Sequence, residues 1–113
     1  MIQIKRVYDP QREDDGFRIL VDRLWPRGLT KAKANIDHWY KNIAPSHELR
    51  KRFHNGTLSW DLFKEEYLTQ LSDKKDLIHQ LREWELDHGN ITLLYTVKNT
   101  ERNHAQLIKD FLG

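Results

Sequence analysis

Two apolar segments that lie far apart in the chain constrain its fold more than any other feature of the sequence. Residues 17–22 contain the run Ile19-Leu20-Val21, and residues 91–97 carry no charged side chain. Segments of this kind are typical of strands that are covered on both faces, as in the parallel sheets of α/β proteins. Since helical patterns fill the interval between them, we expect two neighbouring, parallel strands whose C-terminal ends share one edge of the sheet.

The rest of the sequence predicts one more strand and four helices. Residues 2–8 alternate polar and apolar side chains, which indicates a strand with one wet face, whereas residues 30–44 favour no single conformation. The helices are predicted to follow N-caps at Ser46, at Ser59, at Asp73, and at Asn99 or Thr100. The resulting order, β-β-α-α-α-β-α, is that of a single small α/β domain over residues 1–113, in which helices cover a three- to four-stranded sheet.

Two further expectations concern the sheet and its helical cover. About eight residues link the first two strands, fewer than the dozen or more that a parallel crossover requires, so a mixed sheet is expected and a wholly parallel one is the alternative. Apolar side chains recur at three- and four-residue spacing along the second and third helices. We therefore expect the helical layer over the sheet to bury Trp60, Phe63, Tyr67, Leu77, Leu81 and Trp84.

Composition excludes several classes of protein. The chain contains no cysteine, which excludes disulfides, thiolate catalysis and cysteine-ligated zinc. Its uncharged apolar runs fall far short of the roughly 18 residues that span a bilayer, and its first residues lack the apolar core of a signal peptide. We therefore expect a cytoplasmic protein that has no membrane partner and whose oligomeric state no motif indicates.

Charged and aromatic side chains follow both apolar strands at the edge where those strands should end. They are Asp22, Arg23, Trp25 and Arg27 after the first of the two strands, and Lys98 and Asn99 after the second. The three cations would donate charge-assisted hydrogen bonds to phosphate or carboxylate, and the start of the last helix would add its unpaired N–H groups. We therefore expect an anion pocket at this edge, with Asp22 and His104 as candidate catalytic acid and base groups.

The candidate residues also have structural interpretations. Asp22 could neutralise the neighbouring cations, and His104 could cap or pack the last helix rather than transfer protons. Ser46 is fully explained as a helix N-cap, and a nucleophilic role for it would need a base that the sequence does not place. His47 and His54 form no metal-binding motif, and no glycine-rich phosphate loop occurs, so neither a metal nor a cofactor is expected.

Charge is distributed unevenly between the two halves of the chain. Residues 1–57 hold 12 Lys and Arg against 7 Asp and Glu, whereas residues 58–113 hold 7 against 10, so the halves carry +5 and −3. A basic half favours an anionic partner, and the main interpretation is a phosphate- or carboxylate-bearing small molecule, either bound or converted by an enzyme. The alternative is a nucleic-acid-associated module whose basic residues include Lys31, Lys33, Lys41, Arg50, Lys51 and Arg52.

The segment at residues 16–28, GFRILVDRLWPRG, resembles the hallmark of the YeaO-like group within the domain of unknown function 488 family. The resemblance continues, in order, through residues 5–8, 37–39, 44–46, 49–50, 53–54, 92–95 and 103–105. It implies a small bacterial α/β domain with a cytoplasmic location and no assigned activity. Longer relatives carry a Cys-His-Arg tripeptide where this chain has Asn103-His104-Ala105, so a thiol-dependent role is not expected here.

Overall fold

The sheet is built around the last strand of the chain. The computed structural model describes residues 1–113 and contains strands β1 (Ile2–Arg6), β2 (Phe17–Leu20), β3 (His38–Trp39) and β4 (Ile91–Tyr95). All strand pairs are parallel, and the strands lie in the order β1-β4-β2-β3. Because β4 pairs on both sides and all five of its residues are buried, its side chains are almost uniformly apolar rather than alternating.

Five helices and two short 3-10 turns connect and cover the strands. The helices are α1 (Lys31–Ala34), α2 (His47–His54), α3 (Trp60–Ser72), α4 (Lys75–His88) and α5 (His104–Leu112), and the 3-10 turns are Glu13–Asp15 and Lys41–Ile43. None of the helices has the length and apolar character needed to cross a membrane. The fold is α/β, as predicted, with α1 and β3 as additional short elements in the segment that the sequence left open.

The predicted pairing of the two apolar strands is confirmed, whereas the predicted mixed sheet is wrong. β2 and β4 pair in parallel, with Ile19 opposite Leu93. The link between β1 and β2 returns over one face of the sheet through a single 3-10 turn, held by hydrogen bonds from Gln3 and Lys5. The link, residues 7–16, can span up to about 33 Å when extended, which is enough to return across β4 without a helix, so its length does not force an antiparallel pair.

Two of the four predicted helix N-caps, Ser46 and Ser59, act as predicted, and two do not. Ser46 accepts a hydrogen bond from the third residue of α2, and Ser59 does the same for α3. Gly89 ends α4 with a φ of +79°. Asp73, however, lies at the end of α3, and α4 follows Lys74, whose side chain makes no cap. The turn between these helices is too short to leave Asp73 in the extended conformation that an N-cap adopts.

The last helix begins later than predicted. Asn103, rather than Asn99 or Thr100, is its N-cap and accepts a hydrogen bond from the backbone of Gln106 at 2.9 Å. The side chain of Asn99 instead accepts from the backbone N–H groups of residues 101 and 102 and closes a separate turn. Several polar residues in this segment could each serve as a cap; since Asn99 is engaged in the preceding turn, Asn103 caps the helix.

The two faces of the sheet carry cores of different size. On one face, a cluster of 16 buried residues that includes Ile19 and Leu93 joins the sheet to α2, α3, α4 and α5. On the other face, Val7, Leu20 and Leu94 form a small cluster against which the loop after β2 packs. Helices α2 to α5 therefore cover one face, and loops together with the short helix α1 cover the other.

The predicted helical layer is buried in part. Phe63, Tyr67 and Leu81 are buried, whereas Trp60, Leu77 and Trp84 are only partly buried. Trp84 packs against the core without being fully buried, because its indole lies at the margin of the sheet among the rings of Phe17, His38 and Tyr40. Its apolar surface is thus shared between the core and solvent.

A buried ion pair stabilises the face that the loops cover. Arg18 donates to Asp15 at 2.5 Å with both side chains only 2% exposed, and Lys5 donates to the other carboxylate oxygen at 2.6 Å. The remaining donors of Arg18 meet carbonyl oxygens at the end of α1. Burial alone would raise the pKa of Asp15, but hydrogen bonds from Lys5, Arg12 and Arg18 outweigh it and hold the pKa below its ordinary value of 3.8.

Gly16 determines where β2 begins. Its φ is +64°, and a Cβ at this position would lie 2.2 Å from the carbonyl oxygen of Asn90. The next residue, Phe17, donates its N–H to that same oxygen at 3.0 Å. Only glycine tolerates both the positive φ and the close approach, so the register of β2 against β4 depends on this position.

We expect Gly16→Ala to lower the free energy of unfolding by more than about 2 kcal/mol, because backbone strain and displacement of Asn90 add together. Gly56 is a matched control, since its φ of +74° is similar but no atom lies near its Cβ position. Gly56→Ala should cost about 1–2 kcal/mol, from strain alone. Urea denaturation followed by circular dichroism measures both values, and equal losses would show that the contact with Asn90 contributes nothing.

A second pair of variants tests the helical core. Leu81 is fully buried and Leu86 is 84% exposed, although both lie on α4. Leu81→Ala should lower the free energy of unfolding by about 2–5 kcal/mol, because it leaves a cavity among packed side chains. Leu86→Ala should change it by no more than about 0.5 kcal/mol. The same denaturation experiment checks both, and a loss below about 1 kcal/mol for Leu81→Ala would contradict the packing described above.

Candidate functional site

A cleft of about 520 Å³ opens at the edge of the sheet where β1, β2 and β4 end. Its walls come from the loops that follow these three strands, from α2 and the start of α3, and from the start of α5. The parallel pairing produces this arrangement, since it directs the residues after each strand to the same edge. The cleft therefore lies where the sequence predicted a ligand site.

The wall of the cleft carries a large excess of positive charge. Its Arg and Lys residues are Arg6, Arg23, Arg27, Arg50, Lys98 and Arg102. None of these six forms an ion pair with a carboxylate. The only carboxylate on the wall is that of Asp22. A concave surface of one charge sign concentrates counter-ions, so the cleft attracts anions.

Two of the six cations support the walls, and four do not. Arg6 donates to the carbonyl oxygens of Thr96 and Val97, and Arg23 donates to those of residues 44 and 45. The side chains that make no hydrogen bond within the protein are those of Arg27, Arg50, Lys98 and Arg102. Three of these four, all except Arg50, are exposed. Their donors are available to a molecule in the cleft.

Asp22 and His104 contact each other on the floor of the cleft. The Nε2 atom of His104 lies 3.1 Å from Oδ1 of Asp22 and 2.9 Å from the carbonyl oxygen of Val21. Because a carbonyl oxygen only accepts, Nε2 carries a hydrogen, and this hydrogen is directed at Val21. Oδ1 is buried with no aligned hydrogen-bond donor, so its contact with His104 is chiefly electrostatic. The other oxygen of Asp22 accepts from the hydroxyl of Thr96 at 2.6 Å.

The pKa of Asp22 reflects these contacts. Burial is the largest single influence and would raise the pKa, but His104 and the hydrogen bonds from Thr96 together outweigh it and hold the pKa below its ordinary value of 3.8. Asp22 is therefore ionised at neutral pH. It forms no ion pair with Arg23, Arg27 or Lys98, so the interpretation in which it neutralises those cations is wrong.

The cleft brings together most of the residues that the sequence singled out. Asp22, Arg23, Trp25, Arg27, Lys98 and His104 line it, whereas Asn99 does not. The expected contribution of a helix N-terminus directly after Lys98 is wrong, because α5 begins at His104. Ser46 is an N-cap, as predicted, and also accepts from the side chain of Gln70.

The sequence interpretation missed several lining residues, of which the most informative are Arg6, Arg50, Phe53, Trp60 and Arg102. A signal for three of them was present. Arg6 lies in the segment 5–8, and Arg50 and Phe53 lie in the segments 49–50 and 53–54, all of which carry the family resemblance. Arg50 and Phe53 are also three residues apart, which places them on one face of a helix.

Two residues at the start of the last helix, Asn103 and Ala105, have structural roles. Asn103 is 2% exposed, and its amide caps α5 with one end and donates to the carbonyl oxygen of Asn99 with the other. Ala105 is fully buried in the core. No cluster of His, Asp and Glu side chains in the protein has an arrangement that could hold a metal ion.

The fold and the cleft define a small α/β protein with a cation-lined cleft at the carboxyl edge of a parallel sheet. The chain belongs to the domain of unknown function 488 family, because the family model described as "Inactive DUF488-N3 subclade" matches residues 1–113. The chain is 47% identical over 111 residues to the uncharacterized protein YeaO of Escherichia coli (strain K12), a match that covers 98% of this chain and 96% of YeaO.

Mycobacterial proteins are also similar to this chain. Uncharacterized proteins of Mycobacterium bovis and of Mycobacterium tuberculosis H37Rv are each 33% identical to it over 112 residues, which covers 99% of this chain and 93% of theirs. No solved structure matches the chain. The comparisons therefore establish the family and leave the activity of its members unassigned.

The environment of Asp22 predicts a specific response to acid. Because the pKa of Asp22 is lower in the folded than in the unfolded chain, its charge stabilises the fold above about pH 4, and this contribution is lost as the pH falls through the folded value. The difference in unfolding free energy between wild type and Asp22→Asn should therefore shrink below about pH 4. Urea denaturation at pH values from 3 to 7 measures it.

Asp87→Asn is the control for this experiment. Asp87 is exposed on α4 and forms no ion pair or side-chain hydrogen bond, so its substitution removes one carboxylate charge without removing a buried contact and should cost little stability at pH 7. A pH-independent difference for Asp22→Asn would contradict the proposed balance between burial and the attraction of His104.

Proposed function

We propose that this protein binds a small molecule bearing a phosphate or carboxylate group in the cleft, and that it binds this molecule without converting it. The observation that carries the proposal is the charge of the cleft wall, on which six cationic side chains meet a single carboxylate. Phosphate and carboxylate accept several charge-assisted hydrogen bonds at once, which a wall rich in guanidinium groups can supply.

The state of the four unpaired cations supports binding rather than a purely structural role. The side chains of Arg27, Arg50, Lys98 and Arg102 make no hydrogen bond within the protein, yet all four line the same cleft. Like charges gathered without a counter-ion destabilise a folded chain. A bound anion would neutralise these charges. A structural cluster would instead contain its own carboxylates, as Asp15 neutralises Arg18 beneath the loops that cover the sheet.

The residues that chemistry would need are committed to other contacts, which favours binding over catalysis. The amide of Asn103 caps a helix. The Nε2–H of His104 is directed at the Val21 carbonyl, and Asp22 is held ionised beside it. The description of the matching subclade as inactive agrees with this arrangement.

Thermal denaturation in the presence of inorganic phosphate tests the proposal. Phosphate should raise the Tm of the wild type saturably, and sodium chloride at equal ionic strength should not, because only a bound ligand stabilises by mass action. Arg27→Ala and Lys98→Ala should each weaken the apparent phosphate affinity about tenfold, the loss of one charge-assisted hydrogen bond. Neither change should lower the Tm in chloride, since neither side chain supports the fold.

Lys109→Ala is the charge-matched control. Lys109 is exposed on α5 and lies outside the cleft, so its removal changes the net charge equally and should leave the phosphate response intact. Equal Tm shifts by phosphate and chloride, or an unchanged response in both cleft variants, would overturn the proposal.

A further inference from the structure

The cleft is lined by aromatic rings as well as by cations. Five of its 21 lining residues are aromatic, against 12 of 113 in the whole chain, so the wall is enriched about twofold. These five are Tyr8, Trp25, Phe53, Trp60 and Phe63. A site for a simple inorganic anion needs cations and N–H groups only, so the aromatic enrichment calls for a ligand with an apolar or planar part.

Helix α2 places a cation and an aromatic wall side by side. Arg50 and Phe53 are three residues apart, so they are neighbours on one face of the helix. The ring of Trp60 lies 5.8 Å from that of Phe53. Arg52, on the same helix but outside the cleft, forms an ion pair with Glu66, whereas Arg50 has no partner. The unpaired guanidinium of Arg50 thus lies on the helix face that also carries Phe53.

The two rings retain surface for a ligand. Phe53 and Trp60 pack against the core, yet both are only partly buried, and both line the cleft. Aromatic side chains exposed in this way provide a stacking face, and every nucleobase has a planar face that can lie on it. The cleft volume of about 520 Å³ falls within the range of pockets that hold small molecules of this size.

We propose that the ligand of this cleft is a nucleotide, whose base stacks on the wall formed by Phe53 and Trp60 while its phosphate meets Arg50 and the other unpaired cations. This inference rests on the proposed anion-binding function and specifies its ligand. No glycine-rich loop is involved, because side-chain cations replace backbone N–H groups as the phosphate donors. Stacking tolerates every base, so this wall provides little discrimination between nucleotides.

Isothermal titration calorimetry with adenosine monophosphate and ribose 5-phosphate tests the inference, since the two compounds share the phosphate and differ in the base. The wild type should bind adenosine monophosphate about 5- to 150-fold more tightly, the range expected for one stacked base. In Trp60→Leu and Phe53→Leu this advantage should fall to less than half of its wild-type value. The affinity for ribose 5-phosphate should stay unchanged, which also reports that each variant retains a folded cleft.

Phe111→Leu is the matched aromatic control, because Phe111 is partly exposed on α5 and lies outside the cleft. This variant should bind adenosine monophosphate more tightly than ribose 5-phosphate by the same factor as the wild type. Equal affinities of the wild type for the two phosphates would overturn the nucleotide inference and leave the anion site standing. Loss of the response to inorganic phosphate itself would overturn the proposed function instead, so the two failures are distinguishable.

A nucleotide unit can come from a free metabolite or from a single strand, and a third titration separates these sources. A hexamer of deoxythymidine should bind no more tightly than deoxythymidine monophosphate if the ligand is a free nucleotide. If the ligand is a strand, the hexamer should bind more tightly, and its affinity should fall steeply with salt because several phosphates release counter-ions. Either result supports the stacking of a nucleotide on this wall, provided that Trp60→Leu weakens the binding of the compound in question.

Discussion

The parallel pairing of β4 with β1 on one side and β2 on the other is the interaction on which the rest of the structure depends. The backbone ladders continue past the strands, since Val7 and Val21 both donate to carbonyl oxygens of β4. Three loops with different sequences therefore emerge side by side. Arg6, Asp22 and Lys98 are distant in the chain, and they become neighbours only because these ladders run in the same direction.

Two groups of charged side chains in this small protein differ in that one is paired and the other is not. On the face that loops cover, Asp15 forms ion pairs with both Arg18 and Lys5, and the remaining donors of these cations meet carbonyl oxygens. Buried charges persist in folded proteins only under such conditions, because desolvation otherwise exceeds the Coulombic gain. The cations of the cleft are tolerated without partners because the sheet edge is open to water. Because these side chains are both exposed to water and unpaired, their donors are accessible to an anion from solution.

The sequence predicted the parts of the structure that local patterns determine. The apolar runs of β2 and β4 and the caps at Ser46 and Ser59 are local signals, and the structure agrees with them. The insertion of β4 between β1 and β2 is not a local property, so the sequence does not distinguish the expected mixed sheet from the parallel sheet that the structure has. The pairing of β1 with β4 is not a local property either, so the sequence does not indicate that Arg6 reaches the cleft. The later start of α5 depends on the turn that Asn99 closes, which a run of polar residues does not reveal.

The tight backbone contact at Gly16 has a consequence for how the cleft can change in evolution. Gly16 lies at the end of β2 opposite to the cleft, yet it fixes the register of that strand. A slip of one residue would move the strand by about 3.3 Å and turn its side chains to the other face, which would separate Asp22 from His104. Related chains can therefore acquire new ligands through substitutions at exposed positions such as Arg27 and Lys98. A side chain at position 16, far from any ligand, would instead remove the cleft itself.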